Sequence, residues 1–111
     1  MARVALLCPD LLFGSKVEGG LRAAGHEVSR FSDVESARSA SDVDVLVVDL
    51  TSDVDERAEL GGVSGPRKLA FYSHVEHDTR VRAEEAGFDL VVPRSRMARE
   101  MGALVDKLAA Q

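Results

Sequence analysis

Several residue types are missing or scarce in this chain. Its 111 residues include no isoleucine, asparagine or tryptophan, and three of its 14 basic residues are lysine. Alanine, valine, glycine, aspartate and arginine are abundant instead. We interpret this bias as the codon usage of a GC-rich bacterial genome, and it carries no information about activity.

Other absences exclude whole classes of protein. The single cysteine, Cys8, cannot form an internal disulfide, which favours a reducing compartment. No apolar run approaches the ~20 residues of a membrane span, and the run after Met1 is too short for a signal peptide. We therefore expect a cytoplasmic protein without a membrane segment. Because the net charge of −5 is spread along the chain without a basic cluster, we expect no nucleic-acid partner.

Motifs for nucleotides and for nucleophilic catalysis are also missing. The chain contains no G-x-G-x-x-G after its first apolar run, no G-x-x-x-x-G-K-[ST] and no G-x-S-x-G. The Cys-x5-Arg loop of small phosphatases is absent, because Gly14 stands where the arginine would be. The sequence therefore predicts that the protein is not an enzyme.

The chain contains five short apolar runs, and the segments between them carry helical signals. The runs are Val4–Leu7, Glu27–Phe31, Val43–Asp49, Lys68–Tyr72 and Asp89–Val92. Repeated strand-helix units require crossover connections, which give a parallel sheet with helices on both faces. We predict an α/β protein with a flavodoxin-like, doubly wound, five-stranded sheet of order 2-1-3-4-5, forming a single domain over 1–111.

Two capping-box sequences predict where the first helices begin. The segment Ser15–Glu18 has the Ser-x-x-Glu form, which predicts a helix from Lys16 that stops at Gly25. The segment Ser32–Glu35 has the same form and predicts a short helix to about Ala40.

The sequence marks the beginnings of the later helices less clearly. Ser52 or Asp53 can cap a short helix through Leu60, and the glycine-rich segment 61–66 indicates a loop. The last helix follows Pro93, and four apolar side chains at helical spacing mark its buried face. They are Met97, Met101, Leu104 and Leu108.

Polar side chains end three of the predicted strands. Asp49 closes a buried, β-branched run, Asp10 follows the first strand and Ser73 follows the fourth. Ligands of open parallel sheets gather beyond the carboxyl ends of the strands. With strands 1 and 3 as neighbours, we expect Asp10 and Asp49 to face each other across a crevice, with Ser73 close by.

This order of acids and hydroxyl resembles the receiver domain of bacterial two-component response regulators, and the likeness covers essentially the whole chain. The pair Ala86-Gly87 before the fifth strand adds to it. The resemblance implies that Asp49 is the phosphoacceptor of a phosphoprotein and that Ser73 contacts the phosphoryl group. It also implies that Asp10 and Asp49 hold Mg²⁺, which neutralises charge during phosphoryl transfer.

The chain departs from the receiver pattern at three places. The acid pair after the first strand is reduced to Cys8-Pro9-Asp10, and one carboxylate fewer weakens Mg²⁺ binding. The lysine that precedes proline at the end of strand 5 is replaced by Val92, so the phosphoryl-contacting charge falls to Arg94 only if the register slips. An aromatic switch residue is absent from strand 5, where Val91 and Val92 stand.

We interpret the chain as a divergent receiver, or pseudo-receiver, that works as a stand-alone signalling and protein-interaction domain. Its partner would be a histidine kinase or an output protein, and Asp49 would be an optional phosphorylation switch. The carboxylate of Asp49 could instead cap the helix that follows.

Two other classes of function remain open. The Cys8 thiol could carry a phosphoryl group, or His74 and His77 could join Asp10 and Asp49 in binding Zn²⁺ or a similar ion. The chain could also be an inert scaffold or a homodimerisation unit.

Two local features need an interpretation of their own. Leu11, Leu12 and Phe13 form an apolar group beyond strand 1, where Phe13 packs over the sheet edge or all three dock a partner. His26 follows Gly25 and is interpreted as an ordinary turn residue.

Overall fold

Five parallel strands form one sheet in the computed structural model, which describes residues 1–40, 42–73 and 77–111, without the side chain of His77. The strands are β1 (Arg3–Leu7), β2 (Glu27–Phe31), β3 (Val45–Asp49), β4 (Arg67–Tyr72) and β5 (Leu90–Pro93). Their order is β2-β1-β3-β4-β5, and each neighbouring pair is parallel. This arrangement confirms the predicted fold class and strand order.

Helices cover both faces of the sheet. They are α1 (Leu11–Ala23), α2 (Val34–Arg38), α3 (Val54–Arg57), a 3-10 helix (Ala58–Gly62), α4 (His77–Ala86) and α5 (Arg94–Ala109). One hydrophobic core lies between the sheet and α1 with α5, and the other lies under α2, the 3-10 helix and α4. Within the described part of the chain, no helix is long and apolar enough to cross a bilayer.

The central strand β3 is buried along its whole length. Its four apolar residues, 45–48, alternate between the two cores, as a strand covered on both faces requires. The predicted apolar stripe of α5 is confirmed, because all four of its residues are buried against the sheet: Met97, Met101, Leu104 and Leu108. Asp49 is therefore carried by a strand that is buried along its whole length.

Helix α1 begins earlier than predicted. The carboxylate of Asp10 accepts hydrogen bonds from the main-chain N–H groups of Leu12 and Phe13, both at 3.0 Å. Asp10 is thus the N-cap of α1. The predicted cap at Ser15 is wrong, because Asp10 caps the helix about one turn and a half further upstream. The predicted stop is confirmed, since Gly25 has a φ of 93°.

Two shorter segments also differ from expectation. The carboxylate of Asp33 caps α2 by accepting from the N–H of Ser36 at 2.8 Å, so the cap is Asp33 and not Ser32. Gly61 belongs to the 3-10 helix and not to a loop. A Cβ on Gly61 would lie 2.5 Å from the carbonyl oxygen of Ala86, so only glycine permits this close approach to α4.

His26 is a buried structural residue, and its interpretation as an ordinary turn residue is wrong. Its Nδ1 accepts a hydrogen bond from the N–H of Ala2 at 2.9 Å, and its Nε2 lies 2.7 Å from Oδ1 of Asp106. Because Nδ1 accepts, Nε2 carries the proton and donates to Asp106. The imidazole therefore joins the start of β1 to the last turns of α5.

We expect His26→Ala to lower the free energy of unfolding by about 2–3 kcal/mol, because it leaves the N–H of Ala2 unpaired and opens a cavity. Urea unfolding at neutral pH measures this loss. Asp106→Ala is the matched control, and it should cost less than about 1 kcal/mol because the Asp106 side chain is 61% exposed. Equal losses in the two variants would contradict this role of His26.

Candidate functional site

Asp49 ends β3 and is buried, with 3% of its surface exposed. Its Oδ1 accepts hydrogen bonds from the main-chain N–H of Thr51 at 2.8 Å and from the Thr51 hydroxyl at 2.5 Å. A carboxylate that binds the chain two residues on forms an Asx turn. Asp49 therefore fixes the loop after β3. The prediction that it caps the next helix is wrong, because Asp53 holds the N-cap position of α3.

The second carboxylate oxygen of Asp49 faces two further protein groups. The thiol of Cys8, at the end of β1, donates to Oδ2 with an Sγ to oxygen distance of 3.6 Å. The Nη1 atom of Arg57 lies 3.7 Å from the same oxygen. Within the described part of the chain, the donors around this carboxylate thus come from three places: the end of β1, the loop after β3 and the helix α3.

Arg57 is the site residue that sequence reasoning missed. It is the last residue of α3 and only 7% exposed. Its Nη1 donates to the main-chain oxygen of Asp49 at 3.0 Å, and its Nη2 donates to Oδ2 of Asp53 at 3.3 Å. The spacing of Asp53 and Arg57, at i and i+4, was the available signal. That spacing alone does not reveal that the guanidinium turns inward to Asp49.

Asp10 and Arg94 form the other, more open side of the crevice. Nη2 of Arg94 lies 3.5 Å from Oδ2 of Asp10, and both side chains are almost half exposed. The Arg94 guanidinium also sits 4.1 Å above the ring centroid of Phe13, which packs on Phe71 with ring centroids 5.2 Å apart. Arg94 therefore reaches the acid of strand 1 from the first residue of α5.

The apolar group beyond β1 divides into two parts. Phe13 is 8% exposed and packs into the core, as one of the two interpretations predicted. Leu11 and Leu12 are 77% and 87% exposed at the start of α1. Of this apolar group, Leu11 and Leu12 are therefore the residues left for docking a partner.

Ser73 directly follows β4 and is half-buried. In the sheet register Asp49 pairs with Phe71 of the adjacent strand β4, so Ser73 follows two residues after that partner. Its contact with a phosphoryl group stays a prediction. His74 and the side chain of His77 lie outside the described residues.

The hypothesis of a histidine metal site gains no support from the rest of the chain. Among the described residues, no group of three or more His, Cys, Asp or Glu side chains is arranged to hold a metal ion.

The carboxylates of Asp10 and Asp49, as they lie, do not fit Mg²⁺. This ion demands near-octahedral oxygen coordination. In Asp10, Oδ1 caps α1 and Oδ2 faces Arg94. In Asp49, Oδ1 binds Thr51 and Oδ2 faces a thiol and a guanidinium. Their assignment as metal ligands stays a prediction that requires these contacts to break.

Cys8 is buried completely, and its chemistry follows from that. Burial, then the negative charge of Asp49 and its hydrogen bond, raise the pKa of the Cys8 thiol to about 12 from an ordinary 9.0. The nucleophile in thiol chemistry is the thiolate. At neutral pH Cys8 is a neutral hydrogen-bond donor to Asp49, which argues against a phosphoryl carrier.

Comparisons with known proteins find similar chains only among solved structures. No family model and no curated protein matches the chain. A putative response regulator from Chloroflexus aurantiacus superposes with a TM-score of 0.87 at 18% identity, covering 99% of this chain and 98% of that one. A response regulator from Thermotoga maritima gives 0.82 at 14% identity, with 98% of each chain covered.

A third similar structure is an atypical orphan response regulator described as having a phosphorylation-independent regulatory mechanism. It superposes with a TM-score of 0.78 at 18% identity, covering 97% of this chain and 95% of that one. Identities this low establish the fold alone. The chain has the fold of a response regulator receiver domain, with orphan and atypical forms among its structural neighbours.

Proposed function

We propose that this chain is a receiver-like signalling domain that acts through contacts with a partner protein and does not use phosphorylation of Asp49. The observation that carries the proposal is the set of internal donors around that carboxylate. Thr51 binds one oxygen, and Cys8 and Arg57 face the other. In this position Asp49 works as a structural carboxylate.

Phosphoryl transfer to a carboxylate needs a free oxygen in line with the incoming phosphoryl group, and a cation to neutralise the developing charge. The side chain of Asp49 is only 5% exposed. Attack by Oδ2 would have to displace the Cys8 thiol, and attack by Oδ1 would break both bonds to Thr51. The buried carboxylate is therefore a poor nucleophile in this conformation.

The structural comparisons support a protein partner. The atypical orphan regulator shows that a receiver fold can accompany regulation without phosphorylation. By the same likeness we propose a bacterial, cytoplasmic setting, with a histidine kinase or an output protein as partner and no enzymatic activity of the chain itself. Pairing with a second copy of the chain and a purely scaffolding role stay predictions.

The first test is the response to a phosphoryl mimic. We expect amide NMR signals of the domain in Mg²⁺ to stay unchanged when millimolar beryllofluoride is added, because Asp49 offers no free oxygen. A small-molecule phosphodonor should likewise add no phosphoryl group by intact-protein mass spectrometry. Saturable shifts spreading from Asp49 through Ser73 to β5 would overturn the proposal.

The second test asks whether removing the charge of Asp49 lowers or raises the free energy of unfolding. We expect Asp49→Asn to lower the free energy of unfolding by about 2–3 kcal/mol, because it removes a charged partner of the buried Arg57. An acidic cluster without an internal cation would instead gain stability from losing a like charge. Denaturant unfolding measures the change.

The matched control for that variant is Asp10→Asn. Asparagine also caps helices, and the pair with Arg94 is half exposed, so we expect a change below about 1 kcal/mol. A stabilised Asp49→Asn protein would contradict a structural role for Asp49.

The second candidate function, a phosphoryl carrier at Cys8, is tested by thiol alkylation. Because the pKa of Cys8 is raised to about 12, native protein at pH 8 should react at least about 100-fold more slowly than protein unfolded in urea. In native protein the rate should keep increasing above pH 9, where an ordinary thiol levels off. An alkylation rate of native protein within about tenfold of the unfolded rate would support the phosphoryl-carrier function instead.

A further inference from the structure

Three oxygen atoms converge on the guanidinium of Arg57. Nη1 lies 3.0 Å from the main-chain oxygen of Asp49 and 3.7 Å from its Oδ2, and Nη2 lies 3.3 Å from Oδ2 of Asp53. One carbonyl and two carboxylates make an all-oxygen set. Such a set is the chemistry that hard divalent cations select in proteins, yet here a side chain of the same molecule occupies it.

The guanidinium is held in a buried position by a loop with an unusual backbone. The side chains of Arg57 and Asp49 are 9% and 5% exposed. Asp53 has a φ of 49°, and it is the one residue other than glycine with a positive φ in the described ranges. This left-handed conformation is uncommon for a residue with a Cβ. It lies in the same loop that presents the Asp53 carboxylate to Arg57.

We propose that Arg57 is the resident cation of this site, taking the place of a divalent metal at Asp49, and that its removal turns the site into one that binds Mn²⁺ or Mg²⁺. The proposal explains why the Asp49 carboxylate, as it lies, does not fit a metal ion. The positive charge that receiver chemistry draws from solution is here part of the chain.

Among the described residues, Arg57 is the most buried arginine that contacts an acid, with its side chain 9% exposed against 25% for Arg30. The pair of Arg38 and Glu59, at 3.8 Å, has side chains that are 56% and 63% exposed. Exposed pairs of this kind are exchanged readily with water and ions. Arg57 instead contacts main chain and carboxylate together in a buried position, so its loss leaves oxygen atoms that need a new cation.

The experiment titrates Mn²⁺ into wild-type protein and variants, following paramagnetic broadening of amide signals and the heat of binding. We expect Arg57→Met to bind Mn²⁺ at least about tenfold more tightly than wild type, with broadening centred on Thr51. The double variant Arg57→Met/Asp49→Asn should lose this gain. Arg38→Met is the matched control and should bind as weakly as wild type.

The variant Arg57→Lys distinguishes the effect of the positive charge from the effect of the shape of the side chain. Lysine keeps the positive charge but lacks the planar fork. We expect Arg57→Lys to exclude Mn²⁺ as wild type does, because the charge remains. Tight Mn²⁺ binding by Arg57→Lys, equal affinities of wild type and Arg57→Met, or a gain that persists without Asp49 would each overturn the proposal.

A measurement on wild-type protein keeps the proposal testable if Arg57→Met does not fold. A guanidinium hydrogen-bonded through both terminal nitrogens rotates slowly, so its Nη protons should give separate NMR signals. We expect the Arg57 signals to persist unchanged in millimolar Mg²⁺. Their saturable loss on adding Mg²⁺ would show that the metal displaces the side chain and would overturn the proposal.

The inference rests on the proposed function, but the two fail separately. Phosphorylation of the wild-type protein overturns the function that we propose. An unchanged Mn²⁺ affinity in folded Arg57→Met overturns only the role of Arg57 as a replacement for the metal.

Discussion

The contact between Arg57 and Asp49 is the interaction on which the crevice depends. β3 is buried on both faces and brings a carboxylate to a place with 3% exposure. A charge so placed needs a partner and hydrogen bonds. Arg57 supplies the partner from α3, while Thr51 supplies two bonds from the loop. Burial and the neighbouring Asp49 carboxylate keep the Cys8 thiol protonated, and this thiol donates to Asp49.

The two sides of the crevice repeat one arrangement in different surroundings. Each side places an aspartate against an arginine: Asp49 with Arg57 in the interior, and Asp10 with Arg94 near the surface. The exposed pair contributes little to stability, because water and salt screen it. The buried pair is costly to break, since either charge alone would be left without compensation. Within the described residues, the receiver fold is thus kept while the chain itself supplies the cations of the site.

The sequence was sufficient to predict the strands and the position of Asp49 at the end of β3, because both follow from local pattern. Short apolar runs predicted all five strands, and Glu27–Phe31 agrees at both ends. The predicted start of α1 was wrong because the sequence offers two caps there. Asp10 precedes Ser15 in the chain, and it is the residue that caps the helix. The roles of Arg57 and His26 could not be predicted from local pattern. His26 bonds to a residue 80 positions away, and the inward turn of Arg57 depends on how α3 packs on the sheet.

The most direct measurement is the anomalous scattering of manganese in crystals of the wild-type protein soaked in millimolar Mn²⁺. We expect no manganese at Asp49, and we expect the Arg57 guanidinium within hydrogen-bond distance of the Asp49 main-chain oxygen. A manganese ion bound to the Asp49 carboxylate, with Arg57 turned away from it, would contradict the view that this receiver fold carries its own cation.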